Sequence, residues 1–215
     1  MRDLTTTSYA ILGLLSLQPW SAYELAKQMK RSLRFCWPRA ESAVYAEPKN
    51  LVAHGLATAS RQRRGVRSRT VYTITPEGRE AFRRWLGEPS APPELQSEAL
   101  VRVVFAEQGT KEDLLAALRS LQDHARQLQR AMAERALEYL ESGGPFPERL
   151  HVIGMAGKFV VDYSRMLDDW ARWAEQQLER WPEFGPLPPE TATDEFRAVL
   201  DTDLDFARQV LGGSG

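Results

Sequence analysis

The chain has 215 residues, and its 28 Lys plus Arg against 29 Asp plus Glu leave a formal net charge of −1. Split after Leu86, that near-neutral total becomes 15 basic against 6 acidic residues (net +9) and then 13 against 23 (net −10), an asymmetry that points to nucleic acid or an acidic partner. No apolar run approaches the roughly 18 to 20 residues that span a bilayer, the polar start Met1 to Ser8 is no signal peptide, the single cysteine excludes an internal disulfide, and three scattered histidines exclude a zinc cluster.

From Thr5 to Leu17 the apolar residues Tyr9, Ile11, Leu12, Leu14, Leu15 and Leu17 follow capping threonines, so a buried helix is expected, stopped by Pro19. Ser21-Ala-Tyr-Glu24 is a capping box opening a short second helix with Leu25 and Met29 inward. After Phe35-Cys36-Trp37-Pro38 a third helix begins near Ala40, with Val44, Leu51 and Val52 as its core face and His54-Gly55 as its end. Pro48 lies inside it and is expected to kink or loosen one turn.

The period then changes. Residues Leu56 to Gln62 and Ser68 to Thr75 alternate or carry β-branched side chains around Gly65, which predicts a hairpin. Thr75-Pro76-Glu77 caps a helix carrying Phe82, Trp85 and Leu86. Helix, helix, helix, hairpin, helix is the winged helix-turn-helix arrangement, in which the third helix enters the major groove and the hairpin follows the backbone.

Gly87 to Pro93 is a proline-rich hinge, and everything beyond it reads as helix. A segment from Leu95 to about Glu107 carries Leu100, Val103 and Val104; a second, opened by Thr110-Lys-Glu-Asp113, extends to Glu141. Along it Leu114, Leu118, Leu121, Ala125, Leu128, Met132, Arg135 and Tyr139 form a coiled-coil seam. A long helix from about Pro147 to Arg180 carries two seams: Ile153, Gly157, Val160, Leu167, Ala171, Ala174 and Leu178, and beside it Val152, Ala156, Phe159, Tyr163, Met166, Trp170 and Trp173. So wide an apolar arc needs more cover than one partner helix, which implies a second copy of the chain. The last helix is expected over about Thr193 to Leu211, packing back through Phe196, Val199, Leu200, Leu204, Phe206 and Val210.

The expected fold is thus mainly α with a small β-hairpin wing. A winged helix-turn-helix domain occupies residues 1–86, a Pro-rich hinge 87–94, and an all-α dimerisation domain with long coiled-coil-like helices 95–211.

Five arginines crowd the hairpin, Arg61, Arg63, Arg64, Arg67 and Arg69, with no acid among them. Arginines on an exposed ribbon pair phosphate oxygens in bidentate fashion and suit a narrow minor groove. Arg39, Ser42, Tyr45 and Lys49 share one face of the third helix, Arg39 being best able to specify guanine while Ser42 and Tyr45 bond phosphates. Glu41 and Glu47 nearby would repel phosphate unless paired.

The segments Thr7 to Leu15, Ser21 to Leu25, Trp37-Pro38, Ser42-Ala-Val-Tyr45, Leu51 to Leu56 and Tyr72-Thr-Ile-Thr-Pro-Glu-Gly78 resemble the DNA-binding domain of PadR-type transcriptional regulators over about residues 7 to 86. The helical remainder resembles the C-terminal dimerisation domain of the subgroup named after virulence activators. What the resemblance implies is a dimeric winged-helix regulator, commonly a repressor, with members that respond to phenolic or other aromatic compounds. Ala22 stands where many members have glycine, and Pro48 interrupts the recognition helix.

Phe35 and Trp37 together with Phe159, Tyr163, Trp170 and Trp173 form a candidate site for a small planar aromatic effector. Enzyme readings are weaker. Cys36 has no histidine nearby and reads as a buried structural thiol, the Gly154 to Lys158 stretch lacks the frame of a phosphate loop, and Asp201, Asp203 and Asp205 lack the glycine and glutamate of a calcium loop. No catalytic residue, metal or cofactor is expected.

The sequence therefore reads as a cytoplasmic, nucleoid-associated homodimer bound to double-stranded DNA at a pseudo-palindromic operator, acting as a repressor, with no membrane role. The alternative is a winged-helix protein-interaction or RNA-binding adaptor without effector control.

Overall fold

The structure is a computed structural model that describes residues 3–38, 40–64, 67–181 and 184–200, with Arg64 and Arg67 described by backbone only. It divides into two compact units, Met1–Glu94 and Leu95–Gly215.

The first unit runs α1 (Thr6–Leu17), β1 (Trp20–Ser21), α2 (Ala22–Ser32), α3 (Glu41–Ala53), β2 (Ala57–Arg64), β3 (Arg67–Ile74) and α4 (Pro76–Gly87). Its core gathers Ile11, Leu12 and Leu15 of α1, Leu25 and Met29 of α2, Val44 and Leu51 of α3, and Leu56, Tyr72, Ile74 and Ala81. Ile11, Leu12, Leu25 and Leu51 have no exposed surface, and each such side chain contributes about 1.5–3 kcal/mol of burial. Tyr9 stacks on Trp85 with ring centres 4.9 Å apart, which fastens α4 to α1. The antiparallel sheet has the order β1-β3-β2. The two-residue strand β1 escapes sequence reading because it is too short to show a period; Trp20 pairs Tyr72, Ser21 pairs Val71, and the Trp20 indole N–H donates to the Leu14 carbonyl at 3.0 Å.

Two side chains of α3, Glu47 and Pro48, turn into the core. The helix runs unbroken through Pro48, which is buried and serves as core. Proline removes the donor that the Val44 carbonyl would receive, and tertiary bonds hold the same turn instead. Glu47 is the centre of them. It is completely buried, accepts from the Ser8 hydroxyl at 2.6 Å and from Asn50 Nδ2 at 3.1 Å, and so lies in the α1–α3 contact rather than on the face available to phosphate.

The Thr-Pro-Glu-Gly turn also has a steric reason. Thr75 Oγ1 accepts from the Gly78 N–H at 3.0 Å, and a Cβ on Gly78 would stand 2.1 Å from the Leu56 carbonyl oxygen and 2.9 Å from Ile74 Cγ1. Gly78→Ala is therefore expected to cost about 1–3 kcal/mol, read as a lower thermal midpoint with the same helical content, because backbone must shift to admit the methyl; an unchanged midpoint would contradict this packing.

The second unit begins with α5 (Glu98–Val104), shorter than expected because a 3-10 turn at Ala106–Gln108 follows it. Then come α6 (Lys111–Ser142), α7 (Leu150–Arg180), preceded by a 3-10 turn at Pro147–Arg149, and α8 (Pro189–Leu200). The expected extension of α8 with Leu204, Phe206 and Val210 lies outside the described residues. Thr110 and Asp113 cap the start of α6, and Gly143 ends it at φ +73°, a conformation that favours glycine.

Helices α6 and α7 pack antiparallel through Leu114, Leu118, Ala125 and Leu128 on one side and Ala171 and Leu178 on the other. The seam departs from expectation at Leu121, which is half-buried while Gln122 turns in. The reason is a partner across the seam: Gln122 Nε2 donates to Glu175 Oε2 at 2.9 Å. Arg119 and Arg126 add ion pairs to Glu175 and Asp168 at 3.4 and 3.5 Å. Polar pairs inside an apolar seam fix the register of a helical hairpin.

Candidate nucleic-acid interface

The interface begins with helix α3. Val44, Glu47, Pro48 and Leu51 face the core, which turns Ser42, Tyr45 and Lys49 to solvent along with Ala46 and Ala53. The grouping follows from the roughly 100° advance per residue in a helix. Arg39, the fourth residue assigned to this face, lies outside the described residues.

The wing supplies the second element. β2 and β3 pair from Ala57↔Ile74 out to Arg64↔Arg67, an eight-pair ribbon that extends further toward its tip than the sequence suggests. Arg61 and Arg63 are exposed and make no ion pair among the described residues. Arg64 and Arg67 form the outermost pair, and their side chains lie outside the description. Arg69 differs from the others: its Nη1 lies 2.7 Å from Glu24 Oε1, so its charge is already matched. Burial raises the pKa of Glu24, yet hydrogen bonds from the Ser21 N–H and hydroxyl and from Arg69 outweigh it and hold the carboxyl below its ordinary value.

Helix α2 adds residues that sequence reading passed over. Tyr23, Lys27 and Lys30 recur at four and three residues along the outer face, opposite Leu25, Ala26 and Met29. Lys30 Nζ lies 4.0 Å from Glu41 at the start of α3. The spacing is present in the sequence, interleaved with the inward-facing Leu25, Ala26 and Met29. A tyrosine hydroxyl and two ammonium groups in line are suited to phosphate oxygens.

The six residues proposed for an effector are placed separately by the two units. In the first, the Trp37 indole N–H is committed to Thr7 Oγ1 at 3.0 Å and the Arg34 guanidinium lies 4.4 Å over the Phe35 ring. In the second, Trp170 packs on the Leu114, Leu118 and Leu178 cluster, Tyr163 is half-buried, and Phe159 and Trp173 are exposed. A cleft of about 360 Å³ on α6 and α7 is lined by Gln129, Met132, Ala133, Ala136, Val161 and Arg165, none of them from this set.

Cys36 is exposed rather than buried, because the loop after α2 leaves its side chain outside the core; neighbouring groups still desolvate it enough to raise its pKa, which disfavours the thiolate. Among the described residues no three His, Cys, Asp or Glu side chains converge as metal ligands, and no helix is long and apolar enough to cross a membrane.

Three helices with a two-stranded ribbon, and basic side chains on both the third helix and the ribbon, define a winged helix-turn-helix module. Residues 11–84 match the Transcriptional regulator PadR-like family model. The chain is 30% identical over 99 residues to the negative transcriptional regulator PadR of Bacillus subtilis (strain 168), a match covering 45% of this chain and about half, 54%, of that protein. Its fold is similar to Bacillus subtilis PadR in complex with operator DNA, with a TM-score of 0.69 and 19% identity over 81% of this chain and 99% of that one. The same protein in complex with p-coumaric acid gives 0.62 and 19% over 83% and 99%. The Vibrio cholerae virulence activator AphA gives 0.63 and 21% over 81% and 98%. At these identities the structural likeness is one of fold.

Proposed function

We propose that this chain is a DNA-binding transcriptional regulator that works as a homodimer on a pseudo-palindromic operator, as a repressor released by a small aromatic compound. The observation that carries the reading is the pairing, on one module, of an outward α3 face of Ser42, Tyr45 and Lys49 with a ribbon whose Arg61 and Arg63 are exposed and make no ion pair among the described residues. The first reaches base edges and phosphates in the major groove, and the second holds the flanking backbone. The charge division supports the same reading: a basic head attracts the duplex while an acidic remainder discourages non-specific wrapping.

Dimerisation is supported by α7. Its α6-facing side is covered, whereas Val152, Met155, Phe159, Met166 and Trp173 on another side are exposed, Phe159 to 69% and Met155 to 76%. An apolar stripe of this extent on a single chain marks an association surface. Effector control is supported by the p-coumaric acid complex of a protein with a similar fold.

Selection of fragments from the source genome tests the function. The expected result is enrichment of few fragments carrying an inverted repeat, with log affinity falling steeply against log salt, by about 0.9 per phosphate neutralised. An aromatic acid should then release the bound fragment. Binding with neither salt slope nor sequence preference would leave the adaptor reading in its place.

A further inference from the structure

We propose that Arg69 is a positioning residue that fixes the wing to the body of the DNA-binding domain through Glu24, and that it makes no phosphate contact itself. The inference rests on the DNA-binding reading above and assigns a different role to one of the five wing arginines.

The ribbon is joined to the domain along β3. Nearest the body, β1 pairs with it at Trp20↔Tyr72 and Ser21↔Val71. Arg69 lies two residues further out, opposite Gln62. Beyond it come Arg63↔Ser68 and Arg64↔Arg67, where the two strands are held to each other by their own ladder. The Arg69–Glu24 bond of 2.7 Å therefore ties the ribbon to α2 just outside the end of the strand pairing. Arg61, opposite Thr70, is inboard of this tie and Arg63 is outboard of it.

Glu24 is itself held in place. Its Oε2 accepts from the Ser21 N–H at 2.8 Å and from the Ser21 hydroxyl at 2.7 Å, closing the capping box of α2. Ser21 is also the second residue of β1. One carboxylate thus joins the start of α2, the end of β1 and the outer part of β3. Both of its oxygens are engaged, so it cannot follow Arg69 toward a phosphate without opening the helix cap. The two side chains are about two-thirds buried, at 37% and 33% exposure, and Arg69 Nε is shielded from solvent. A guanidinium turned inward against a fixed carboxylate presents little net charge to DNA, whereas Arg63, one pair further out, presents all of its own.

The two roles predict opposite outcomes in one experiment. Full-length Arg69→Ala, Glu24→Gln, Arg63→Ala and the double variant Glu24→Gln with Arg69→Ala are titrated with a labelled duplex by fluorescence anisotropy at several salt concentrations. Arg63→Ala is expected to flatten the slope of log affinity against log salt by about 0.9, the loss of one phosphate contact. Arg69→Ala should weaken binding by roughly 1.5-fold to fivefold, the range of an ion pair of this exposure, with the slope unchanged. Glu24→Gln, although it removes a negative charge beside the DNA, should weaken binding to the same extent, and the double variant should be no weaker than either single one. Glutamine can still accept the capping bonds, so Glu24→Gln keeps the test decisive if Arg69→Ala folds poorly. Tighter binding by Glu24→Gln, or a slope reduced by about 0.9 in Arg69→Ala, would overturn the proposal, since either means that Arg69 reaches a phosphate. A wild-type chain that binds no duplex overturns the DNA-binding reading, and the anchor with it.

Discussion

Alanine at Arg63, Arg64 and Arg67 together is expected to weaken binding to every duplex alike, by about 100-fold or more, and to flatten the salt slope by about 2.7 for each wing engaged. The three arginines lie at the far end of the ribbon. They occupy the outer pairs of an antiparallel ribbon, two of them directly opposite each other, and an outer ribbon meets the sugar-phosphate backbone or the minor groove. A guanidinium on phosphate gives a strong, charge-assisted and sequence-blind bond. Each one lost therefore removes affinity and a counterion-release increment together, with no change in which fragment is preferred. Replacement of Ser42 or Arg39 should do the reverse. Contacts from the third helix discriminate among bases by about 1–3 kcal/mol per good pair, so the ranking of fragments should change while the slope moves by one increment at most. If both sets of variants reduce affinity uniformly, or both change the ranking, the division of labour between α3 and the wing is wrong.

The elements that carry this proposed division were legible in the sequence because each has its own local signal. The capping box at Ser21 and Glu24, the Thr75 cap with Pro76, the β-branched run at Val71 to Ile74 and the proline hinge are each contained within a few residues, and the elements fall within a few residues of where these signals put them. What escaped depends on distant partners. Glu47 looks like a surface acid on α3 until α1 brings Ser8 within 2.6 Å, which is a separation of 39 residues. Pro48 reads as a weak point of the helix, and only the fold shows that its ring is buried as core. Arg69 sits among four other arginines in sequence, and only the fold shows that residue 24 is its neighbour. Gln122 similarly replaces Leu121 in the seam because Glu175 is available across it. Sequence pattern places a side chain on a face; whether a polar group on that face is buried depends on a partner that the pattern does not name.

Glutamate at both Phe159 and Met166 is expected to convert a dimer into a monomer at micromolar concentration and to lower operator affinity by about 10²- to 10⁴-fold. Val152, Met155, Phe159, Met166 and Trp173 lie within roughly 60° of arc on α7, and from the first to the last they span about 32 Å of helix at 1.5 Å per residue. Burying such a stripe, with the exposed Leu137 and Leu140 of α6, approaches the roughly 800 Å² per partner of a stable interface. Both replaced side chains are exposed in the single chain, Phe159 to 69% and Met166 to 51%, so the charges should not disturb the α6–α7 seam, whose buried residues Ser164, Ala171 and Leu178 face another way. Two-headed binding gains from the second head being held near its half-site, an effective concentration in the millimolar range for a short connection. A monomer loses that gain while each head keeps its own contacts. The variant should therefore bind an isolated half-site as the wild type does, bind the full inverted repeat far more weakly, and show about half the wild-type salt slope on it. Light scattering gives the mass, and anisotropy on half and full sites gives the affinities. A variant that remains dimeric would show that another surface joins the chains, and a monomeric variant with undiminished operator affinity would show that a single winged-helix domain suffices.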